Sequence, residues 1–486
     1  MWSIDRAHVI PRRGHGATAV FARIAAAIAD DIRRGVLRGG DRLPSTRAIA
    51  DRLGVTRNTV VHAFDDLAAQ GWVTSRGAAG TFVAAEQPER AVKHRAHDDR
   101  GFASRPGFEI APVEPLVTPF DPRAQYQLSA GVPDPRLFPK LAFARAYRRA
   151  MRSSAGTTAL GYASAFGTLR LRAAIAAMLR ETRAIPCGAE HVLVTRGSQM
   201  AIELAARALL APGDVAAVEA YGYQPAWRSF TSAGATLVGV PLDDSGLVVD
   251  ALPAKPRLVY ATPHHQYPTT VLMSQPRRFA LLERARRERF AIIEDDYDHE
   301  FHFDGRPVAP LASVDPSGSV LYVGTLSKVL APGLRLGYVV APEPVIAKLA
   351  ARRATLDRQG DHVTELAVTD LIEDGELARH VATSRRIYAA RRDAFVDLLR
   401  RELGGVLDVA LPAGGITVWA RVAPDVSIEK WRARVLAKGV AFVTGRELAL
   451  GRAQSSSPFV RLAFARYSET ELATAVRILK RALPNV

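Results

Sequence analysis

Two rhythms of apolar residues divide the chain. Over the first 85 positions the rhythm is helical. Val20, Ile24, Ile28 and Ile32 recur every four residues and stop near Gly35, which predicts an amphipathic helix. Ser45 followed by Ile49 and Leu53 predicts a second helix with a serine N-cap. After Gly54-Val55, Thr56 caps a third helix with Val60, Phe64, Leu67 and Ala68 on its buried face, and Gly71 ends it. Val73–Arg76 and Thr81–Val83, joined through Gly77 and Gly80, predict two short strands. From about residue 126 the rhythm changes to seven short apolar runs: Val192–Thr195, Val215–Glu219, Thr236–Val240, Leu258–Thr262, Ala291–Asp295, Val320–Gly324 and Gly337–Ala341. Helix-like segments such as Ala201–Leu210 and Pro276–Arg289 separate several of them. Apolar strands alternating with helices predict an α/β fold with a mostly parallel sheet covered on both faces. Ligands of such sheets gather at the carboxyl ends of strands. Beyond Glu376, helical stretches at Val381–Leu403 and Ile428–Lys438 with shorter β runs predict a smaller α+β unit.

Between the two rhythms, residues 86–125 carry ten charges before Pro112, then Pro112, Pro115, Pro119 and Pro122, with no sustained apolar period. This stretch predicts a linker. The expected organisation is a multidomain chain: 16–85, a linker over 86–125, and 126–486 with a small subdomain from about 376. With 486 residues, 48% of them hydrophobic, the chain has material for more than one core. No apolar run approaches the roughly 18 residues that span a bilayer, and the charged start Met1–Arg6 is unlike a signal peptide. A soluble, cytoplasmic protein without a membrane partner is expected. A single cysteine, Cys187, rules out a disulfide framework and a cysteine-cluster metal site. The net charge of +16 allows an acidic partner such as DNA. Residues 1–85, with 12 Arg and 7 Asp, supply only +5 of it, so a DNA argument has to rest on the motif.

A helix, a short turn, a second helix and a hairpin make a winged helix-turn-helix, although a helical hairpin in an ordinary core shows the same spacing. In that motif Arg57, Asn58, Thr59 and His62, at the start of the second helix, enter the major groove, where Arg and Asn pair bidentately with base edges. Arg76 and Gly80 in the wing lie close to phosphate, and Ser45, Arg47 and Thr56 complete the candidate DNA surface. The phrase from Leu43-Pro-Ser-Thr-Arg47 through Gly54-Val-Thr-Arg-Asn58 to Gly80-Thr-Phe-Val83 resembles the DNA-binding domain of GntR-type bacterial regulators.

The third zone carries a different chemistry. Only eight of the 65 basic residues are lysines, so a lysine inside a motif is informative. Strand Val320–Gly324 runs into Thr325-Leu-Ser327-Lys328, followed by Arg335. A desolvated lysine at a strand end, beside cations, forms Schiff bases readily. Ser327, Thr325 and Arg335 suit a phosphate. Strand Ala291–Glu294 delivers Asp295-Asp-Tyr297, a carboxylate suited to a protonated pyridine nitrogen and a hydroxyl suited to its phenolic oxygen. Gly197-Ser198-Gln199 opens a helix, a ready phosphate site. Tyr223 is placed to stack on a cofactor ring or to sit in the core. Arg461, alone in an apolar run, is either structurally paired or a clamp for a ligand carboxylate.

Residues 126–486 resemble fold-type I pyridoxal 5'-phosphate (PLP)-dependent aminotransferases. The whole arrangement is similar to the MocR/GabR subfamily of GntR-type transcriptional regulators, echoed by Leu137-Phe-Pro139, Leu160-Gly-Tyr162, Gly167-Thr-Leu-Arg170, Thr262-Pro-His-His-Gln-Tyr-Pro-Thr269 and Glu294-Asp-Asp-Tyr-Asp298. The resemblance implies a homodimer that binds a double-stranded operator in the bacterial cytoplasm and senses an amine, an amino acid or PLP itself. It further implies a Schiff base on Lys328, Asp295 at the ring nitrogen, Tyr297 at the phenolic oxygen and Tyr223 on the ring. Gly197, Ser198, Gln199, Thr325, Ser327 and Arg335 would serve the phosphate, and Arg461 the effector carboxylate. A working aminotransferase with an accessory domain is the alternative. Against that enzyme's pattern, Tyr267 stands where an Asn is usual and Thr270 where a Gly is usual, which is expected to alter the turn. Ala163–Phe166 and Ile416-Thr417 also depart from it at the ligand pocket.

Overall fold

The computed structural model describes Ile4 and residues 19–86, 106–110, 120–305, 308–451 and 457–484. Most of the expected linker lies outside the described residues. The chain divides into two compact units, Met1–Pro115 and Leu116–Val486.

In the first unit, α1 (Val20–Arg33), α2 (Thr46–Leu53) and α3 (Arg57–Ala69) precede the hairpin of β1 (Val73–Ser75) and β2 (Thr81–Val83). Ile24, Ile28, Leu53, Val60 and Leu67 are completely buried in one small core. Ala68, expected on the buried face of α3, is exposed, and Ala63 takes its place. The stripe starting at Val60 continues at third and fourth positions, 63, 64 and 67, and so passes Ala68 by. Both expected caps form. Ser45 Oγ accepts from the Ala48 N–H at 3.2 Å and Thr56 Oγ1 from the Thr59 N–H at 3.4 Å. Gly54, at φ +68°, closes α2 in the left-handed conformation that the tight turn into α3 requires.

The seven apolar runs of the second unit all become strands of one sheet: β3 (Val192–Thr195), β4 (Val215–Glu219), β5 (Thr236–Val240), β6 (Leu258–Ala261), β7 (Ala291–Asp296), β8 (Val320–Thr325) and β9 (Gly337–Val340). Their order is β3-β9-β8-β7-β6-β4-β5. Neighbours are parallel except around β9, which is antiparallel to β8 and β3. Leu193, Val218, Tyr260 and Ile293 pack on one face with α4 (Ser198–Leu209) and α5 (Gln224–Ser232). Ala217, Val259 and Ile292 pack on the other with α6 (Gln275–Glu288). Burial on both faces explains why the six strands inside the edge strand β5 are apolar without alternation, while β5, at the edge of the sheet, is partly exposed.

The small C-terminal lobe is a four-stranded antiparallel sheet, Leu407–Val409, Thr417–Val422, Phe459–Ala463 and Val443–Thr444 in that order, with helices Glu376–Leu403, Ile428–Ala437 and Glu469–Arg481. It also takes up chain from far upstream. Tyr126–Gln127 pairs with Val440–Ala441, Leu128 enters the lobe's core, and the Gln127 N–H donates to the Tyr467 hydroxyl 340 positions away. No helix among the described residues is long and apolar enough to cross a membrane.

Replacing Ser45 by Ala should cost about 1 kcal/mol of local stability. Hydrogen exchange should then quicken about fivefold at the amides of α2, while unchanged exchange would show that the cap contributes nothing.

Candidate functional site

The parallel strands of the second unit end at one edge of the sheet. There β4 delivers Glu219, β7 delivers Asp295, and β8 runs on to Lys328. Because β9 runs the opposite way, its first residue, Gly337, and the preceding Arg335 arrive at the same edge.

Lys328 Nζ donates to the Gly131 carbonyl at 2.7 Å. Burial, reinforced by the Arg461 charge, lowers its pKa to about 8, against the opposing pull of Asp298 and Asp295. The Asp295 carboxylate accepts from the Tyr260 hydroxyl at 2.7 Å through Oδ2. Its Oδ1 is buried without a partner, and burial raises the carboxyl to about 7. Glu219, fixed by the Thr262 N–H at 3.2 Å and hydroxyl at 2.7 Å, is likewise raised to about 7 by burial.

A second group of residues forms an anion cradle. Gly197, at φ +80°, starts α4 with no side-chain cap, which leaves the first amides of that helix for a ligand. A Cβ on Gly337 would lie 2.6 Å from the Gly197 carbonyl carbon, so only glycine permits this approach. Arg335 donates to the Arg196 carbonyl at 2.7 Å, with its guanidinium beside Gly197. Ser198 is half-buried at the helix start. The Gln199 amide instead donates to Pro225 O and Ser229 Oγ, each at 3.1 Å, so its side chain braces α4 against α5. Thr325 Oγ1 accepts from the Ser327 N–H at 3.2 Å and donates to Leu336 O at 3.4 Å. It shapes the turn that presents Lys328.

Aromatic rings line the space beside the lysine. Tyr267 meets Tyr223 edge-on at 5.7 Å and Tyr297 at 6.0 Å. The Arg461 guanidinium lies 4.6 Å from the centre of the Tyr267 ring. Burial pushes the Tyr297 and Tyr223 hydroxyls above their usual range. Arg461 is only 4% exposed; its Nη1 donates to Ser129 O at 3.1 Å and its Nε has no partner. No carboxylate among the described residues pairs with it. A buried cation without a counter-charge is costly unless a ligand supplies one.

On the first unit Arg57, Asn58, His62, Arg47 and Arg76 are exposed. Arg57 Nε reaches Thr46 Oγ1 at 3.4 Å, His62 lies 6.2 Å from the Phe21 ring, and Arg76 sits 4.9 Å over Phe82. The Ser45 and Thr56 hydroxyls are committed to capping, and the Thr59 hydroxyl lies 2.9 Å from that of Thr56. Gly80, at φ +109° in the wing, packs against the Arg42 guanidinium.

Residues 125–479 match the family Aminotransferase class I and II, and residues 21–83 match Bacterial regulatory proteins, gntR family. Among curated proteins the chain is 36% identical over 407 residues to the probable rhizopine catabolism regulatory protein MocR of Rhizobium meliloti, covering 83% of this chain and 82% of that one. It is 34% identical to the HTH-type transcriptional regulator TauR of Rhodobacter capsulatus, covering 95% and 96%. The chain belongs to the MocR/GabR subfamily of GntR-type transcriptional regulators. Its second unit is similar to the solved LysN α-aminoadipate aminotransferase of Thermus thermophilus, with a TM-score of 0.68 and 30% identity over 74% of this chain and 92% of that one. The regulator therefore pairs a GntR DNA-binding domain with the fold of PLP-dependent aminotransferases.

Several residues of the regulator's site escaped the sequence reading. Gly131, Tyr260 and Asp298 act through a backbone carbonyl, a strand interior and a loop, none of which has a local signature. Glu219 was legible only as a strand end. At the turn where the sequence carries Thr270, that residue adopts φ +63° and its N–H donates to Gln266 O at 2.7 Å. A β-branched residue there stores backbone strain of about 1–2 kcal/mol.

With Lys328 near 8, its amine is mostly protonated below that pH, so the rate at which apo-regulator takes up PLP should climb to about pH 8 and level off above. A rate flat across this range would remove Lys328 from that role. Gly337→Ala should weaken PLP retention through the cradle, measured by equilibrium dialysis, with the Lys328 pH profile unchanged.

Proposed function

We propose that this regulator reads an operator with α3 and the wing, and that its second unit binds PLP and senses a small primary amine carrying a carboxylate. The observation that carries the reading is the pairing of a depressed-pKa Lys328 with Asp295, whose free oxygen suits the N–H of a protonated pyridine. PLP, when bound, supplies an aldehyde that condenses reversibly with primary amines and a ring that delocalises charge. Lys328 would present its neutral amine to that aldehyde, released from the Gly131 carbonyl. Asp295 would hold the proton at the ring nitrogen and Tyr223 would lie on the ring. Tyr297 would donate to the phenolic oxygen. The first amides of α4, Ser327 and Arg335 would bind the phosphate. Arg461, buried and without a carboxylate partner, would fix the effector's carboxylate, with Tyr267 under its guanidinium.

An effector that favours one arrangement of the chain would shift operator affinity, typically with a coupling of about 1–3 kcal/mol. Leu141, Leu160, Tyr162 and Leu169 are large apolar side chains left exposed on one chain. They support a homodimer, which would bring two readers to paired half-sites in the cytoplasm. The intact Lys328, Asp295 and Arg461 also favour a second reading, an aminotransferase with an accessory domain. Multiple turnovers with an amino donor and a keto-acid acceptor, in a chain that shifts no promoter DNA, would establish that reading instead.

The deciding experiment is fluorescence anisotropy on promoter DNA from the regulator's own gene neighbourhood, with and without PLP and candidate amines. Arg57→Ala should cost roughly 1–3 kcal/mol of specific binding, and an unchanged sequence preference would remove α3 as the reader. Arg461→Ala should blunt the response to a carboxylated amine while PLP stays bound. Lys328→Ala should abolish the visible absorbance of the PLP-loaded protein, and survival of that band would assign the bond to another amine.

A further inference from the structure

Four of the chain's twelve histidines, His264, His265, His299 and His302, gather on one side of the Lys328 pocket, and neither the DNA reader nor the PLP site uses them. We propose that His264, His265 and His302 form a binding site for a divalent transition-metal ion, zinc in the first instance. One ring nitrogen from each lies within 4.8 Å of the others. His265 Nε2 and His302 Nδ1 are 3.2 Å apart, close to the roughly 3.3 Å edge between two nitrogens around tetrahedral zinc with Zn–N bonds of about 2.0–2.1 Å.

The protons argue for a cation between these rings. His265 Nδ1 faces the Asp298 carboxylate at 2.8 Å and therefore carries its hydrogen, which leaves Nε2 as a lone pair. This carboxylate–histidine arrangement is the one that orients metal-binding imidazoles. Without a cation, His302 Nδ1–H must donate to that lone pair. His302 Nε2 then becomes a buried lone pair without a partner, and both nitrogens of His264, a residue 2% exposed, are stranded as well. A cation takes both facing lone pairs and one nitrogen of His264.

The frame suits such a role. His264 and His265 follow the end of β6, and His302 forms a backbone bridge to Gly414. A Cβ on Gly414 would lie 2.2 Å from His265 Nε2, so glycine keeps the space beside that nitrogen clear. Imidazole ligands suit zinc, copper, nickel and iron and offer little to magnesium or calcium.

The test uses the full-length, tag-free chain, stripped with a chelator and titrated with Co(II) and then Zn(II). One equivalent of Co(II) per chain should bind, with the visible bands of a nitrogen-ligated four- or five-coordinate ion, and zinc should displace it. X-ray absorption of the zinc form should count three imidazoles at about 2.0–2.1 Å. Asp298→Asn, which keeps the shape and removes the charge, should weaken binding about 10–100-fold. His302→Ala should abolish it, with circular dichroism confirming the fold. Absence of stoichiometric binding by the wild-type chain, or binding that survives both substitutions, would overturn the proposal. The wild-type spectra decide the matter even if the His302 variant fails to fold.

Discussion

Everything at the sheet edge depends on charge taken out of water and left partly uncompensated. Lys328, Arg461 and Asp295 all lie in low-dielectric surroundings. Each keeps a hydrogen bond to the protein: Gly131 O for the lysine, Ser129 O for the arginine, the Tyr260 hydroxyl for the aspartate. Two of them also have an atom without a partner, Asp295 Oδ1 and Arg461 Nε. Burial disfavours the charged forms of Lys328 and Asp295, and the field of Arg461 pushes the lysine further the same way. The outcome is a lysine that loses its proton easily beside a buried carboxyl oxygen with no partner of its own, the two groups that imine chemistry on a pyridine ring calls for.

That arrangement rests on the direction of β9. A seventh parallel strand would have begun at the opposite edge, with Gly337 and Arg335 at the far side of the sheet. As an antiparallel strand it begins at the edge, so Gly337 touches Gly197 and the Arg335 guanidinium joins the uncapped start of α4. One reversed strand thereby places the anion cradle next to the lysine. The bottom of the cradle is backbone, and its specificity for an anion comes from amide dipoles and one guanidinium.

Tyr267 marks where this chain parts from its enzyme relatives. Its ring lies against Tyr223 and Tyr297 and under the Arg461 guanidinium. An aromatic block thus links the buried Arg461 guanidinium to Tyr223 and Tyr297. Rings packed in this way are mechanically coupled, since movement of one is felt by the others.

The elements were legible in the sequence where local physics decides them. All seven sheet strands were marked by apolar runs; for all but the partly exposed edge strand β5 the reason is burial on both faces, which leaves little room for polar residues. The helices of the reader were marked by Ser45 and Thr56, because a cap bonds to its own first turn. The lysine, the aspartate and the phosphate glycine were visible because each sits at a strand end or helix start. Ala68 was misplaced by a single position of helical phase. Tertiary structure alone decided the rest. The side chain of Gln199 turned to α5, Tyr126–Gln127 joined the C-terminal lobe, and Thr270 held a left-handed turn that its own preferences oppose. Likewise the partners of Lys328 and Arg461 are the carbonyls of residues 131 and 129, which lie 197 and 332 positions away in sequence. A sequence pattern records what a residue needs from its neighbours along the chain; which distant carbonyl or ring meets it is set only when the sheet closes the distance.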